Sequence, residues 1–194
     1  MLQTRLTPEI VTRPTTEPLT LNEAKKHLEI SISDTAHDDH LTALVIAARQ
    51  QWEDDTDSAI CNQTWKVETQ EFFDGMKLPK RPVQSITSIQ YYDGTNTLRT
   101  LASTVYQLHA GRGEIRLGYQ QVLPATSARW DAWKITYLCG YGSDGTNVPG
   151  VAKRAMMLLI GYHFENRDML QNESMFNRSA YEALVRRYMR SSYP

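Results

Sequence analysis

Cysteine is scarce in this sequence: Cys61 and Cys139 lie far apart. A disulfide framework or a structural zinc site needs more ligands, so both are read as reduced thiols. Long apolar runs are missing as well. Nothing approaches the roughly 18 to 20 residues of a membrane span, and the first residues lack the apolar core of a signal peptide. The chain is therefore expected to stay in the cytoplasm where it is made. There is no strong net charge either: 21 Lys and Arg against 22 Asp and Glu leave −1 at pH 7. That excludes a nucleic-acid-binding polycation. No internal repeat and no low-complexity segment is visible.

What remains is an ordinary globular composition, 41% hydrophobic and 22% charged over 194 residues. That length suits one domain, or one domain with a sizeable insertion. The charge is unevenly placed. Residues 21–60 hold nine acids against three bases, and residues 151–194 hold seven bases against four acids. A chain with one acidic and one basic end can pack head to side in a ring or stack; scattered surface charge is the plainer reading.

Residues 1–19, with Pro8, Pro14 and Pro18, read as an extended N-terminal arm rather than a packed element. Thr20 and Glu23 in "TLNE" form a capping box, so a short helix starts there with Leu21, Ala24 and Leu28 on its apolar face. "SDTAHDD" ends that helix and opens a longer one, striped by Leu41, Leu44, Val45, Ala48 and Trp52. Asp38 and Asp39 favour its start. Its far end carries Glu53, Asp54, Asp55 and Asp57 beside the negative pole, which costs a few tenths of a kcal/mol per charge. A solvated helix end explains them, and so does a partner or a channel.

Between Cys61 and Tyr141 the period falls to two, in about six short runs divided by turn signals such as "DG" and "GRG". "LPKRPV" reads as a bend or edge, because proline cannot donate to a ladder. After Pro149 the helical period returns, with Val151, Ala155, Leu158, Leu159 and Tyr162 on one face to about Arg167. A last helix from about Ser179 aligns Tyr181, Leu184, Val185 and Tyr188. The class is therefore α+β: a four-helix core, two helices N-terminal and two C-terminal, around an inserted antiparallel β module. The divisions fall at 1–19 (arm), 20–60 with 148–194 (helical core) and 61–147 (β module).

Chemical motifs are weak. Gly140, Gly142 and Gly145 match G-x-G-x-x-G, but a dinucleotide turn needs a βαβ unit with its helix starting at the third glycine. Here the helix starts at Pro149, and the preceding runs have antiparallel spacing. The glycines are read as a sharp exit from the sheet. "HDDH" (His37, Asp38, Asp39, His40) has two histidines three apart, yet a hydrolytic metal needs three or four ligands, and His27, His109 and His163 have no matching spacing. There is no G-x-S-x-G elbow and no cysteine beside a histidine. The aromatics Trp65, Trp133, Tyr91, Tyr137 and Tyr141 lie in strand patterns, where packing is the default over a stacking platform. No catalytic, cofactor or metal residue is assigned, and no cofactor is expected.

The arrangement itself is more specific. "PLTLNEAKKHLEI" followed by "DDHLTALVIAARQQWEDDTDSAICNQTW" resembles the start of head–tail connector (adaptor) proteins of tailed bacteriophages. "LPKRPVQSITSIQYYD" is similar to that family's L-P-x-x-P-V-x-S-I-x-S-I-x-Y strand. "ITYLCGYG" with "VPGVAKRAMMLLIGYHFENRD" resembles its junction and following helix. The resemblance spans about residues 17–190, in the right order. Leu138-Cys139 replaces the small residues usual before G-Y-G, and the arm is longer than typical.

The resemblance implies a structural protein of the virion neck, made in the bacterial cytoplasm, and not an enzyme. It implies a ring of about twelve copies under the portal, through which DNA passes without sequence-specific binding. Partners implied are the portal, a stopper or tail-completion protein, and the capsid as a further candidate. The C-terminal segment is implied to dock on the portal through Arg186, Arg187, Tyr188, Met189, Arg190 and Tyr193. Glu53, Asp54, Asp55 and Asp57 are then subunit-interface or channel-lining acids; an acidic lining repels phosphate and avoids tight DNA binding. Other readings are a stopper or terminator in the same particle, a carbohydrate-binding module, and a metal-dependent hydrolase built on "HDDH".

Overall fold

Alternation of buried and open positions is clearest at the segment Trp133–Cys139, where Trp133, Ile135, Tyr137 and Cys139 all face inward. In a computed structural model of the chain, which describes residues 6–166, 178–186 and 188–189, this segment is the centre of a sheet. The described residues contain eight strands and four helices. They fall into two compact units, Met1–Pro14 with Asn62–Gly140, and Thr15–Cys61 with Tyr141–Pro194. No helix among the described residues is long and apolar enough to cross a membrane.

The first unit is all β. Its strands are β1 (Thr7–Thr12), β2 (Gln63–Thr69), β3 (Met76–Lys77), β4 (Val83–Tyr92), β5 (Leu98–Thr100), β6 (Tyr106–His109), β7 (Glu114–Leu117) and β8 (Trp133–Cys139). Five form a sheet in the order β1-β2-β8-β4-β5, and three another in the order β3-β7-β6. Every strand pair is antiparallel. The arm expected over 1–19 is thus corrected in part: residues 7–12 are an edge strand, paired from Thr7↔Glu68 to Thr12↔Thr64. Pro8 is tolerated there because an edge strand has one side without a ladder.

β4 hides its period. Val83, Ile86 and Ile89 are three apart, yet all three pair with the inward residues Cys139, Tyr137 and Ile135 of β8. Two irregularities in register, between Val83 and Ser85 and between Ile86 and Ser88, each add a residue to β4 and restore its inward face. The core beneath holds Trp133, with Phe72 and Tyr91 each 5.2 Å away ring to ring. The buried Tyr137 donates its hydroxyl to the Pro79 carbonyl at 2.7 Å, which satisfies its polar end.

The second unit contains all four helices: α1 (Leu21–His27), α2 (Asp38–Thr56), α3 (Gly150–Glu165) and α4 (Arg178–Val185). α1 begins at the capping box, with Thr20 and Glu23 each satisfying the other's backbone N–H. One apolar cluster draws on all four: Ala24, Leu41, Val45, Ala48, Trp52, Ala152, Met156, Leu159, Tyr181 and Val185 belong to it. The helices are unequal, however, two long and two of only 7 and 8 residues. The inward face of α3 also differs from expectation. It runs through Ala152, Ala155, Met156, Leu159 and Ile160, while Val151 is 37% exposed.

Candidate functional site

The glycine-rich turn is held by its own unit. Asp144 accepts the Thr146 N–H at 2.9 Å, and the Thr16 hydroxyl donates to the Ser143 carbonyl. Gly140 has φ 124°, a conformation that side chains oppose. At Gly145 the Pro18 carbonyl leaves no room for a Cβ. The strand feeding this turn, β8, lies between two antiparallel neighbours. Among the described residues no βαβ unit surrounds the glycines, and the spacing serves the sheet exit and a close backbone approach.

"HDDH" is occupied by packing. His37 and His40 lie against Phe164, with ring centroids 5.4 and 6.0 Å apart. Asp38 pairs at 2.5 Å with Lys25, which is 2% exposed. Lys25 also donates to the carbonyls of Ile32 and Asp34 at 3.2 and 2.7 Å. It stitches the α1–α2 turn together, a role its sequence position did not signal. Among the described residues no group of three or more His, Cys, Asp or Glu is placed to hold a metal.

The acidic end of α2 resolves into distinct jobs. Glu53 is 7% exposed. One oxygen accepts from Arg49 at 2.7 Å and the other from the Ile60 N–H at 2.8 Å. Arg49, itself 6% exposed, also donates to Glu17 at 2.7 and 3.3 Å. The i,i+4 pairing of Arg49 and Glu53 is readable in the sequence; Glu17, 32 residues away, is not. Glu53 is therefore an internal strut, which explains its tolerance of the helix's negative pole. Asp57 ends the helix in the left-handed conformation, φ 49°. Asp54 and Asp55 are exposed. Beside this network lies Cys61, whose thiol is pushed up to about 11 by burial and by the Glu17 carboxylate; it stays protonated and unreactive.

α4 closes on the same end of α2. The Tyr181 hydroxyl donates to Asp55 at 2.7 Å, and burial, reinforced by Asp55, raises its pKa. Tyr188 lies 5.4 Å from Trp52, ring to ring. Of the C-terminal residues singled out in the sequence, Arg186 is exposed, Met189 is 43% exposed, and Tyr188 is half-buried. Arg187, Arg190 and Tyr193 lie outside the described residues. The acidic end of α2 and helix α4, far apart in sequence, thus meet inside one unit.

The β unit carries a second charged arrangement. Glu9, Lys66, Glu68, Lys134 and Asp131 form a chain of ion pairs at 2.9, 3.1, 3.0 and 3.5 Å. Burial opposes ionisation of Glu68, but Lys134 and Lys66 outweigh it and hold the carboxyl below its ordinary value. The chain crosses β1, β2 and β8 on the open face of the sheet and ties the arm strand to its neighbours.

No protein-family model matches the chain, and no curated protein matches its sequence. Solved structures do resemble it in fold. A chain in the neck of an empty gene transfer agent particle, computed with C6 symmetry, superposes with TM-score 0.77 at 19% identity, covering 94% of this chain and 95% of that one. A chain in the virion of a native gene transfer agent particle gives 0.75 at 20%, with the same coverage. A chain in the neck of a native particle, computed with C12 symmetry, gives 0.68 at 21%, covering 94% of each.

Proposed function

We propose that this chain is a structural neck protein of a tailed-phage-type particle, forming a ring under the portal that extends the DNA channel and joins head to tail. The observation that carries the reading is the likeness in fold, over 94% of the chain, to chains in the neck of gene transfer agent particles. The adaptor motifs over residues 17–190 support it independently. The work is done by surfaces, with no bond-making chemistry and no cofactor.

In this reading about twelve copies form a ring, each placing one face against a different face of its neighbour. The helices of 20–60 and 148–194 act as a four-helix adaptor core. The inserted β module offers its loops to a stopper or tail-completion protein, or to the capsid. The C-terminal segment, with Arg186, Arg187, Tyr188, Met189, Arg190 and Tyr193, docks on the portal. In this reading Asp54, Asp55 and Asp57 face a neighbour or the channel, Asp55 while also accepting from Tyr181; Glu53 is used internally.

The test is to mix the full chain with its particle's portal and image the product by electron microscopy. A collar of density at the portal's narrow end, with matching rotational symmetry, is expected. A bare portal, with the chain bound instead to a tail tube or capsid piece, keeps the neck location and overturns the adaptor role.

A further inference from the structure

The connection between β7 and β8 leaves three large apolar side chains in water: Tyr119 is 86%, Val122 83% and Trp130 72% exposed. Single exposed apolar residues are ordinary, but three of this size on one connection are not. The connection is pinned rather than loose. At its start the Gly118 N–H donates to the Val105 carbonyl at 2.8 Å, and the Gln121 N–H to Gly118 at 3.0 Å. Further on, Thr126 bridges to Asp93 and the Ser127 N–H donates to Tyr92 at 3.0 Å.

Of the three, Trp130 has the most firmly held neighbours. Before it, Arg129 donates to both oxygens of Asp131 at 2.8 Å and to Asn96 at 2.9 Å, with its guanidinium 3.7 Å above the Tyr92 ring. After it, Asp131 is 5% exposed and Ala132 is buried. Trp130 thus stands between an ion-paired Arg129 and a buried Asp131, so its backbone is held while the indole lies in water. An exposed tryptophan on a held backbone belongs to the residue type enriched among interface anchors.

The chemistry of the connection narrows its occupant. From Leu117 to Ala128 there is no Asp, Glu, Lys or Arg, and Arg129 and Asp131 neutralise each other. Contacts between copies of one chain are more apolar than those between unlike, separable partners. A ring also gives every copy a like neighbour on each side. We infer that residues 118–130 are a contact by which one copy of the chain grips the next copy in the ring, covering Tyr119, Val122 and Trp130. This inference rests on the ring reading above.

The variant Val122→Cys tests it in the full chain, because Cys61 and Cys139 are buried and give a slow background. The new thiol should react quickly with a maleimide in the free chain and at least about tenfold more slowly once a ring has formed on the portal. Trp130→Ser should keep its far-ultraviolet circular dichroism while ring assembly weakens by about 30-fold or more, as for an interface anchor. A ring in which the Val122→Cys thiol reacts as fast as in the free chain overturns the inference and leaves the neck reading standing. Protection that appears only when an unlike neck protein is added also overturns it. Failure of the unmodified chain to form any ring removes the neck-ring reading together with the inference.

Discussion

A methyl group added at Gly145 would lie 2.3 Å from the Pro18 carbonyl oxygen and 2.9 Å from its carbon, both backbone atoms. Neither can swing away as a side chain can, so the turn or the 16–18 segment must move. Gly145→Ala is expected to destabilise the helical unit by about 1–3 kcal/mol, read as a lower urea midpoint with unchanged slope. An unaltered midpoint would sink this account of the turn. The sheet exit was legible in the glycine spacing, but the close approach at Gly145 was not, since Pro18 lies far away along the chain. The same holds for Lys25, Arg49 and Glu17. A buried charge is legible only where its partner sits at a fixed local spacing, as Glu53 does four residues after Arg49. Trp130 escaped notice for another reason: the connection between "EIRL" and "WKITYLC" has no period from which exposure could be read.

At the scale of the element, local chemistry decided what could be read. α1 announced itself because Thr20 and Glu23 need only each other: the Thr20 N–H reaches the Glu23 carboxylate at 2.7 Å, and the Glu23 N–H returns to the Thr20 hydroxyl at 3.2 Å. β1 did not, because Pro8 and its threonines look like an arm until β2 is alongside. β4 was readable as a strand, but its inward face was not, since the added residues space its apolar side chains by three. The capping box also makes a pH prediction. The Thr20 backbone N–H, with its hydroxyl and Lys153, holds the Glu23 carboxyl below its ordinary 4.5. A depressed carboxylate contributes stability that is fully present above that ordinary value and is lost as pH falls through the lower folded value. Glu23→Gln is therefore expected to be less stable than the unmodified chain at about pH 6, with the gap closing as pH falls below the ordinary 4.5 and through the lower folded value. Urea titrations over that acid range check this; a gap that does not narrow would assign the loss to packing instead.

For the whole molecule, the order of helices, sheet and helices was legible because the apolar period changes from 3.6 to two and back, a signal that survives ignorance of every partner. Assembly is not legible in that way, and the C-terminal segment shows why its test needs care. Truncation from Arg186 onward would remove the basic side chains and also Tyr188, which covers Trp52. Lost portal binding could then report a loosened α2–α4 contact rather than lost docking. Reversing charge alone separates the two. Arg186→Glu, Arg187→Glu and Arg190→Glu, made together, leave Tyr188, Val185 and Tyr181 in place. If the arginines serve docking alone, the urea midpoint should shift little: Arg186 is exposed, and changes at exposed residues usually fall within about 0.5 kcal/mol. If the segment docks on the portal through its charge, the triple variant should lose portal binding. The unmodified chain should bind more weakly as salt rises, while residual binding by the variant should show a flatter salt dependence. Full binding by a stable triple variant would move the contact to Met189 and the apolar side of the segment. A variant that loses both binding and stability would mean that the arginines hold the helical unit together.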